Sequence, residues 1–362
     1  MRHPCWAMQP RIELRRASMS VTRVGLIGAG AIGRAHLVGA AQAEGVEIVG
    51  IADPNVASKA LADEFSIPWF ADHRALVDQM KLDGAIVATP NALHVPMSLE
   101  LINAGIAVLV EKPVADTVEE ALRLAKAAAD ADVPLLVGHH RRHNPIIRTA
   151  RSLIQDGKLG RLVSASVLAT FLKPDAYFNE AWRRTTAAGP VLINLIHEID
   201  LLRFVCGEIA SLQAITSNAV RGFEVEDTAA AIIQLKNGAV ATITLSDTAA
   251  SPWSWDTSSG ENASFSKNFI ESHFISGTDA SLALPTLRMW HYAGERGWFH
   301  PLADEQVPYA SANPYVEQMR HFGAFIRKEE KPVCDGFDAA KTLEVTASVR
   351  RAAQSGAAVR FG

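Results

Sequence analysis

The stretch "VGLIGAGAIGRAH", Val24 to His36, decides the architecture of this chain. Its first residues, Val24–Ile27, read as a short buried strand. Three glycines follow at the spacing Gly28-x-Gly30-x-x-Gly33, and "RAHLVGAAQAE" then reads as a helix of small residues. Strand, glycine turn and helix in this order form the context in which the spacing binds a dinucleotide. Gly28 permits the tight turn, Gly30 lets a pyrophosphate approach the backbone, and Gly33 lets helix and strand pack closely. The free N–H groups at the helix start, with Ala31 and Ile32 in its first turn, would hold the phosphates with the help of the helix dipole. Asp53 stands about 20 residues beyond Gly33, at the end of the next apolar run. There it is predicted to accept hydrogen bonds from the adenosine ribose hydroxyls. A carboxylate repels a 2′-phosphate, and Pro54-Asn55 bring no arginine to hold one, so NAD is expected rather than NADP.

Working outward, "VEIVGIAD" (46–53), "GAIVATP" (84–90), "GIAVLVEKP" (105–113) and "VPLLVGHH" (133–140) are further apolar runs separated by helical patterns. Short strands alternating with helices predict an α/β architecture: a doubly wound parallel sheet over residues 21–142 that binds ligands at the carboxyl ends of its strands. Beyond 142 the texture changes. "TAAAIIQLKNGAVATITLSD" (228–247) predicts a β-hairpin with a type I′ turn at Asn237-Gly238. "GRLVSASVLATFLK" and "SLALPTLRMWHY" are strand-like, and "INLIHEIDLLRFVCG" is helical. Residues 143–362 are therefore expected to form an α+β domain with a large, mostly antiparallel open sheet. "SPWSWDTSSGENASFSKN" (251–268) reads as a mobile polar loop, and the C-terminal segment holds two amphipathic helices.

Bulk properties exclude several classes. The 362 residues are 48% apolar and 20% charged, an ordinary globular composition. A net charge of −4 gives no global attraction to nucleic acid or anionic membranes. No apolar run approaches the about 18 residues of a membrane span. Cys5, Cys206 and Cys334 form no paired motif, which suits a reducing cytoplasm. Residues 1–20 differ in texture and are expected to be a disordered leader, or the product of an over-long start with Met19 as the true first residue.

From Val21 nearly to the C-terminus the chain resembles the glucose–fructose oxidoreductase / inositol dehydrogenase / MocA family, NAD(P)-dependent oxidoreductases with a Rossmann domain. The resemblance rests on "ATPNALHVP" (88–96), "EKP" (111–113), "GHHRRHNP" (138–145) and "AGPVLINLIHEIDLLRFVCGEI" (188–209). It implies that Thr89, Pro90, Asn91 and His94 border the cofactor, that Glu111 and Lys112 lie near the nicotinamide ribose, and that Arg141 and Asn194 face the substrate. Arg142 is assigned to domain contacts. It implies an NAD-dependent hydride transfer to or from a carbinol carbon of a sugar, cyclitol or related polyhydroxy compound. It also implies a homodimer or homotetramer formed through the C-terminal sheet, where "LRMWHYAGERGWFHPL" (287–302) would supply an aromatic strip or simply core packing.

The residues support matching roles. Lys112, aimed by Pro113, can hydrogen-bond a substrate hydroxyl and stabilise developing alkoxide charge. His197, with an unperturbed pKa of about 6.5, can take the hydroxyl proton. The family often carries an aspartate four residues before this histidine; here Ile193 stands there. That departure leaves open reduction of an imine or non-sugar carbonyl, or a weakly catalytic NAD-binding sensor. "HEID" lacks the second histidine of a zinc motif, since Leu201 occupies that place, and "HHRRH" (139–143) is not expected to bind metal. Trp182 and Arg183 are possible cofactor contacts from the second domain.

Overall fold

A computed structural model describes residues 21–262 and 264–362. The expected leader, 1–20, lies outside them. The first half alternates strands and helices: β1 Thr22–Ile27, α1 Ala31–Ala40, β2 Val46–Ala52, α2 Lys59–Glu64, β3 Trp69–Phe70, α3 His73–Gln79, β4 Gly84–Val87, α4 His94–Asn103, β5 Ala107–Val110, α5 Val118–Asp130 and β6 Leu135–Val137. Their six strands form a parallel sheet in the order β3-β2-β1-β4-β5-β6. The strand order reverses between β1 and β4, which opens a ligand crevice at the carboxyl ends. β3 escaped the sequence reading because its two half-buried residues carry no apolar run.

The chain then crosses through His140–His143 into α6 Pro145–Gln155, whose start is set by the Asn144 side chain accepting from Ile146 N and by Pro145 at the first position. β7 Leu162–Thr170, α7 Ile196–Cys206, β8 Ile209–Ser217, β9 Thr228–Leu235, β10 Val240–Ser246, α8 Trp255–Ser258, β11 His273–Gly277, β12 Ala280–Leu284, β13 Arg288–His291 and β14 Ala303–Gln306 follow. With β15 Val359–Arg360 they make a nine-stranded sheet, β14-β13-β12-β11-β7-β10-β9-β8-β15. All its ladders are antiparallel except β7 with β10.

Three expectations need correction. The β9–β10 turn is not type I′. Only Gly238 has a positive φ (+90°), and Gly238 N donates to Leu235 O, so a type I turn is followed by a glycine bulge. The segment 251–268 is not a free loop. It contains α8, its Trp255 is fully buried, and buried Glu261 pairs with His140 at 2.8 Å. Finally, packing does not follow a single division at residue 142. α9 Pro314–Ile326 returns to the first sheet, where Met319 and Phe322 join the core of Val24, Leu26, Ile51 and Leu109. α10 Gly336–Ser355 spans both bodies: Leu343 packs in the first core, Val345 and Val349 in the second.

Phe322 is fully buried beneath the first sheet. Phe322→Ala is expected to cost about 3–5 kcal/mol, read as a lower denaturation midpoint. An unchanged midpoint would show that α9 contributes nothing to that core.

Candidate active site

The glycine turn is built as its spacing demands. Gly28 has φ +95°, and a Cβ there would lie 2.4 Å from Ala88 O. A Cβ on Gly33 would lie 2.1 Å from Gly28 O, whereas one on Gly30 would meet nothing within 4 Å. The turn is thus closed toward the sheet and open toward solvent at the start of α1. No side chain caps that helix, so its first N–H groups are available to an anion. The Asp53 carboxylate accepts from Ala29 N at 2.7 Å and from Asn55 N at 2.8 Å. It thereby ties the end of β2 to the glycine turn. Asp53, Ala29, Gly30 and Ala31 line a cavity of about 540 Å³, walled on its far side by an Arg34–Glu64 ion pair. A dinucleotide's adenosine and phosphates fit here: a carboxylate for the ribose, a side-chain-free approach and unpaired amides.

A second cavity, of about 220 Å³, lies between the two bodies, with Ile32, Thr89, Asn91, Lys112, Trp182 and Ile193 in its wall. Glu111 and His94 also reach it, but Pro90, expected to border the cofactor, is not in its lining. Thr89 Oγ1 is buried with no partner among the described residues, an orphaned polar atom suited to a ligand group. His94 lies between Pro113 O at 2.8 Å and Thr89 O at 2.9 Å, so its ring N–H can tie one of these two cavity loops. Trp182 is half-exposed in the wall, whereas Arg183 donates to Tyr177 O at 2.7 Å and stacks on that ring.

Glu111 hydrogen-bonds His36 Nε2 at 2.8 Å. Burial alone would raise its pKa, but the His36 hydrogen bond and charge, with His140 and Lys112, hold it at about 2. Lys112 Nζ crosses the cleft to donate to Ile193 O at 3.3 Å. Burial lowers its pKa below 10.5; Glu111 opposes that shift, and Arg141 adds to it. Ile193 sits in a π-helical turn, Val191–Leu195, that runs directly into α7. Such turns carry backbone groups away from ordinary helical pairing. The residue that departs from the expected pattern therefore reaches the lysine through its carbonyl.

His197 lies four residues further on, buried, with no side-chain hydrogen bond to a described residue. Its pKa is held well below the ordinary 6.5, first by burial and then by the charges of Lys112, Arg141 and His140. Asn194 is engaged by Lys173, with Nζ 2.8 Å from Asn194 Oδ1. Arg141, expected to bind substrate oxygens, is 3% exposed and committed to Glu198 and Asp256, each at 2.8 Å. This geometry makes it a brace behind the site. Arg142 bridges Asp200 on α7 and Asp338 on α10, the inter-body contact anticipated for it.

The histidines of "HHRRH" diverge. His140 faces Glu261, His143 faces Arg148, and only His139 joins Asp200 and Cys334 within 4.8 Å. Both Asp200 oxygens in that group already bind Arg142. Lys173, His36, Asp256 and Glu261 went unassigned in the sequence reading; of these only His36 carried a signal, its place within the opening glycine stretch.

Residues 22–139 match the model of the Gfo/Idh/MocA oxidoreductase family, NAD-binding Rossmann fold, and residues 147–266 match the C-terminal domain of the same family. The 1,5-anhydro-D-fructose reductase of Ensifer adhaerens is 30% identical over 350 residues, covering 94% of this chain and 99% of its own. The chain belongs to the Gfo/Idh/MocA family. The NAD(+)-dependent scyllo-inositol 2-dehydrogenase of Bacillus subtilis is 24% identical over 94% of this chain and 96% of its own. Among solved structures, levoglucosan dehydrogenase in complex with NADH and levoglucosan superposes with a TM-score of 0.78 at 21% identity, covering 94% of this chain and 99% of that one. Membership makes this chain an NAD-binding oxidoreductase and agrees with the cavity at Asp53. Among the described residues no helix is long and apolar enough to cross a membrane.

Asp53→Ala is expected to weaken NADH binding about tenfold or more and to narrow the preference over NADPH, measured by fluorescence titration. Unchanged NADH affinity would remove the ribose assignment.

Proposed function

We propose that the enzyme transfers hydride between NAD and a carbinol carbon of a sugar, cyclitol or related polyhydroxy compound, with Lys112 and His197 sharing the acid–base work. The observation that supports this reading is that Lys112, in the wall of the cleft cavity, reaches Ile193 O one helical turn before the buried His197, whose pKa is lowered by burial and by the Lys112 charge. The bound nicotinamide supplies the redox step, taking up hydride in oxidation and returning it in reduction. Every other task falls to the chain. Gly28, Gly30, Ala31, Ile32, Gly33 and Asp53 hold the adenosine and phosphates; Thr89, Asn91, His94 and Glu111 shape the nicotinamide end. Lys112 donates to the substrate oxygen and offsets negative charge as it develops there. His197 receives the hydroxyl proton in oxidation and returns it in reduction. Asn194 donates to a neighbouring substrate oxygen. The two buried, unpaired thiols, Cys206 and Cys334, suit a reducing cytoplasm.

Two pKa directions set the pH profile. His197 must be neutral to act as base, and its pKa lies well below 6.5, so the acid limb of kcat/KM falls below pH 6.5. Lys112 must stay protonated, and its lowered pKa brings the alkaline limb below pH 10.5. On a panel of scyllo-inositol, levoglucosan and 1,5-anhydro-D-fructose with NAD(H), turnover is expected, and Lys112→Ala should lower it about 10²–10⁴-fold. His197→Ala should remove the acid limb. NADH binding without turnover on a wider sugar, acid and cyclitol panel would favour the sensor instead.

We also propose a homodimer or homotetramer formed through the open face of the nine-stranded sheet. Ile215 and Ile232 stand there 75% and 62% exposed, with Phe274 and Trp290 on the same face. Trp298 and Phe299, in the connection between β13 and β14, are also exposed, which supports a surface role for that end of the aromatic strip. Ile232→Glu should shift the mass measured by light scattering toward the monomer; an unchanged mass would place the interface elsewhere.

A further inference from the structure

No arginine stands just beyond Asp53 in sequence, yet the fold brings one to the same cavity. Arg34 follows Gly33 near the start of α1, where its amide donates to Gly30 O at 2.9 Å. Its side chain lines the cavity of about 540 Å³ together with Asp53, and it is the one cation in that wall among the described residues. A guanidinium fork matches the oxygens of a phosphate, so a free Arg34 would favour a coenzyme that carries a 2′-phosphate. That would work against Asp53, whose carboxylate repels one.

Arg34 is not free. Glu64, the last residue of α2, faces it: Arg34 Nη1 donates to Glu64 Oε2 at 2.8 Å, and Nη2 donates to Oε1 at 2.7 Å. Both terminal nitrogens are engaged in two parallel bonds, the arrangement a phosphate would otherwise use. Asp53 is fixed as well, since its two oxygens accept from Ala29 N and Asn55 N. The cavity wall therefore presents two carboxylates, Asp53 and Glu64, and one guanidinium. Both partners of the Arg34–Glu64 pair are half-exposed, so the bond itself is weak in water. The sum of charges matters more. A 2′-phosphate, with about −1.5 to −2 charge at pH 7, meets a wall of net negative charge. Without Glu64 the same wall is neutral, and its guanidinium has no partner.

We infer that Glu64 is a specificity-determining residue of the coenzyme site: by occupying Arg34 it withholds the cavity's cation from a 2′-phosphate, and so reinforces the choice of NAD made by Asp53. The effect is independent of the substrate and requires only that the adenosine end of the coenzyme lie in the Asp53 cavity.

Fluorescence titration of the full-length protein with NADH and with NADPH tests it. Glu64→Ala should tighten NADPH binding about fivefold or more, while NADH stays within about twofold. Glu64→Gln, which keeps the shape and removes the charge, should give part of that gain. In the double variant Arg34→Ala with Glu64→Ala the gain should vanish, because the freed guanidinium is what takes the phosphate. The inference is overturned if Glu64→Ala leaves NADPH affinity at the parent value, if NADH tightens as much as NADPH, or if the gain survives the loss of Arg34. A large loss of NADH affinity in Arg34→Ala alone would place that arginine on the nucleotide in the parent protein and would overturn it too. Failure of the parent protein to bind NADH breaks the Asp53 assignment itself, whereas intact NADH binding with an unmoved NADPH affinity sinks only the role of Glu64.

Discussion

Arg142 is buried between two carboxylates from different elements, Asp200 on α7 and Asp338 on α10, and its backbone belongs to the segment that leaves the first sheet. Burial of a guanidinium is tolerable only while both anions stay in place; removing one partner of such a pair typically costs about 3–5 kcal/mol. Thr342 adds a hydrogen bond to Asp200 at 3.0 Å, and Arg203 binds Asp338 at 2.7 Å. The seam therefore has few alternative arrangements. Neighbouring Arg141 repeats the device one residue earlier, with Glu198 of α7 and Asp256 of α8. Two adjacent arginines from the crossing thus clamp α7 against the nucleotide-binding body. The distance from Lys112 to the π-helical turn, and with it the geometry of the cleft, follows from that clamp.

The same clamp explains the electrostatics of the cleft. Positive charge is concentrated close to His197, while the carboxylates that neutralise it are turned away into the seam. Desolvation and these cations act in one direction on the imidazole and keep it neutral. At Glu111 they oppose each other, and the cations win, leaving an ionised carboxylate in a buried position. One environment thus holds a base without charge and an acid without its proton, about 85 residues apart in sequence.

Local features of the chain were legible because their causes are local. The glycine spacing, Asp53 after β2, the lysine-proline pair after β5 and the helical pattern through His197 each depend on residues a few positions away. What escaped depends on partners far off. Glu261 is tied to His140 across 121 residues, so composition alone made its segment look loose. Lys173 is placed only by its partners Asn194 and Asp247. Phe322 reads as one apolar residue of an amphipathic helix, with nothing to say which of two sheets it covers. Arg141 shows the same limit: its neighbours in sequence say nothing of the two carboxylates, Glu198 and Asp256, that fold against it.

Ile193 is where local and distant causes meet. Read as a residue type, it subtracts a carboxylate from the expected set and weakens the case for catalysis. Read in the structure, it occupies a π-helical turn whose carbonyl still gives Lys112 an acceptor, so the lysine keeps its aim without the acid. A carboxylate at this position would also attract protons to its neighbours and raise the pKa of His197, opposing the neutrality that a base requires. An apolar side chain does neither; it dries the cavity wall, where the charges that remain act more strongly on whatever oxygen enters. The isoleucine that looks like a loss in sequence thus leaves the lysine its aim and the histidine its neutrality.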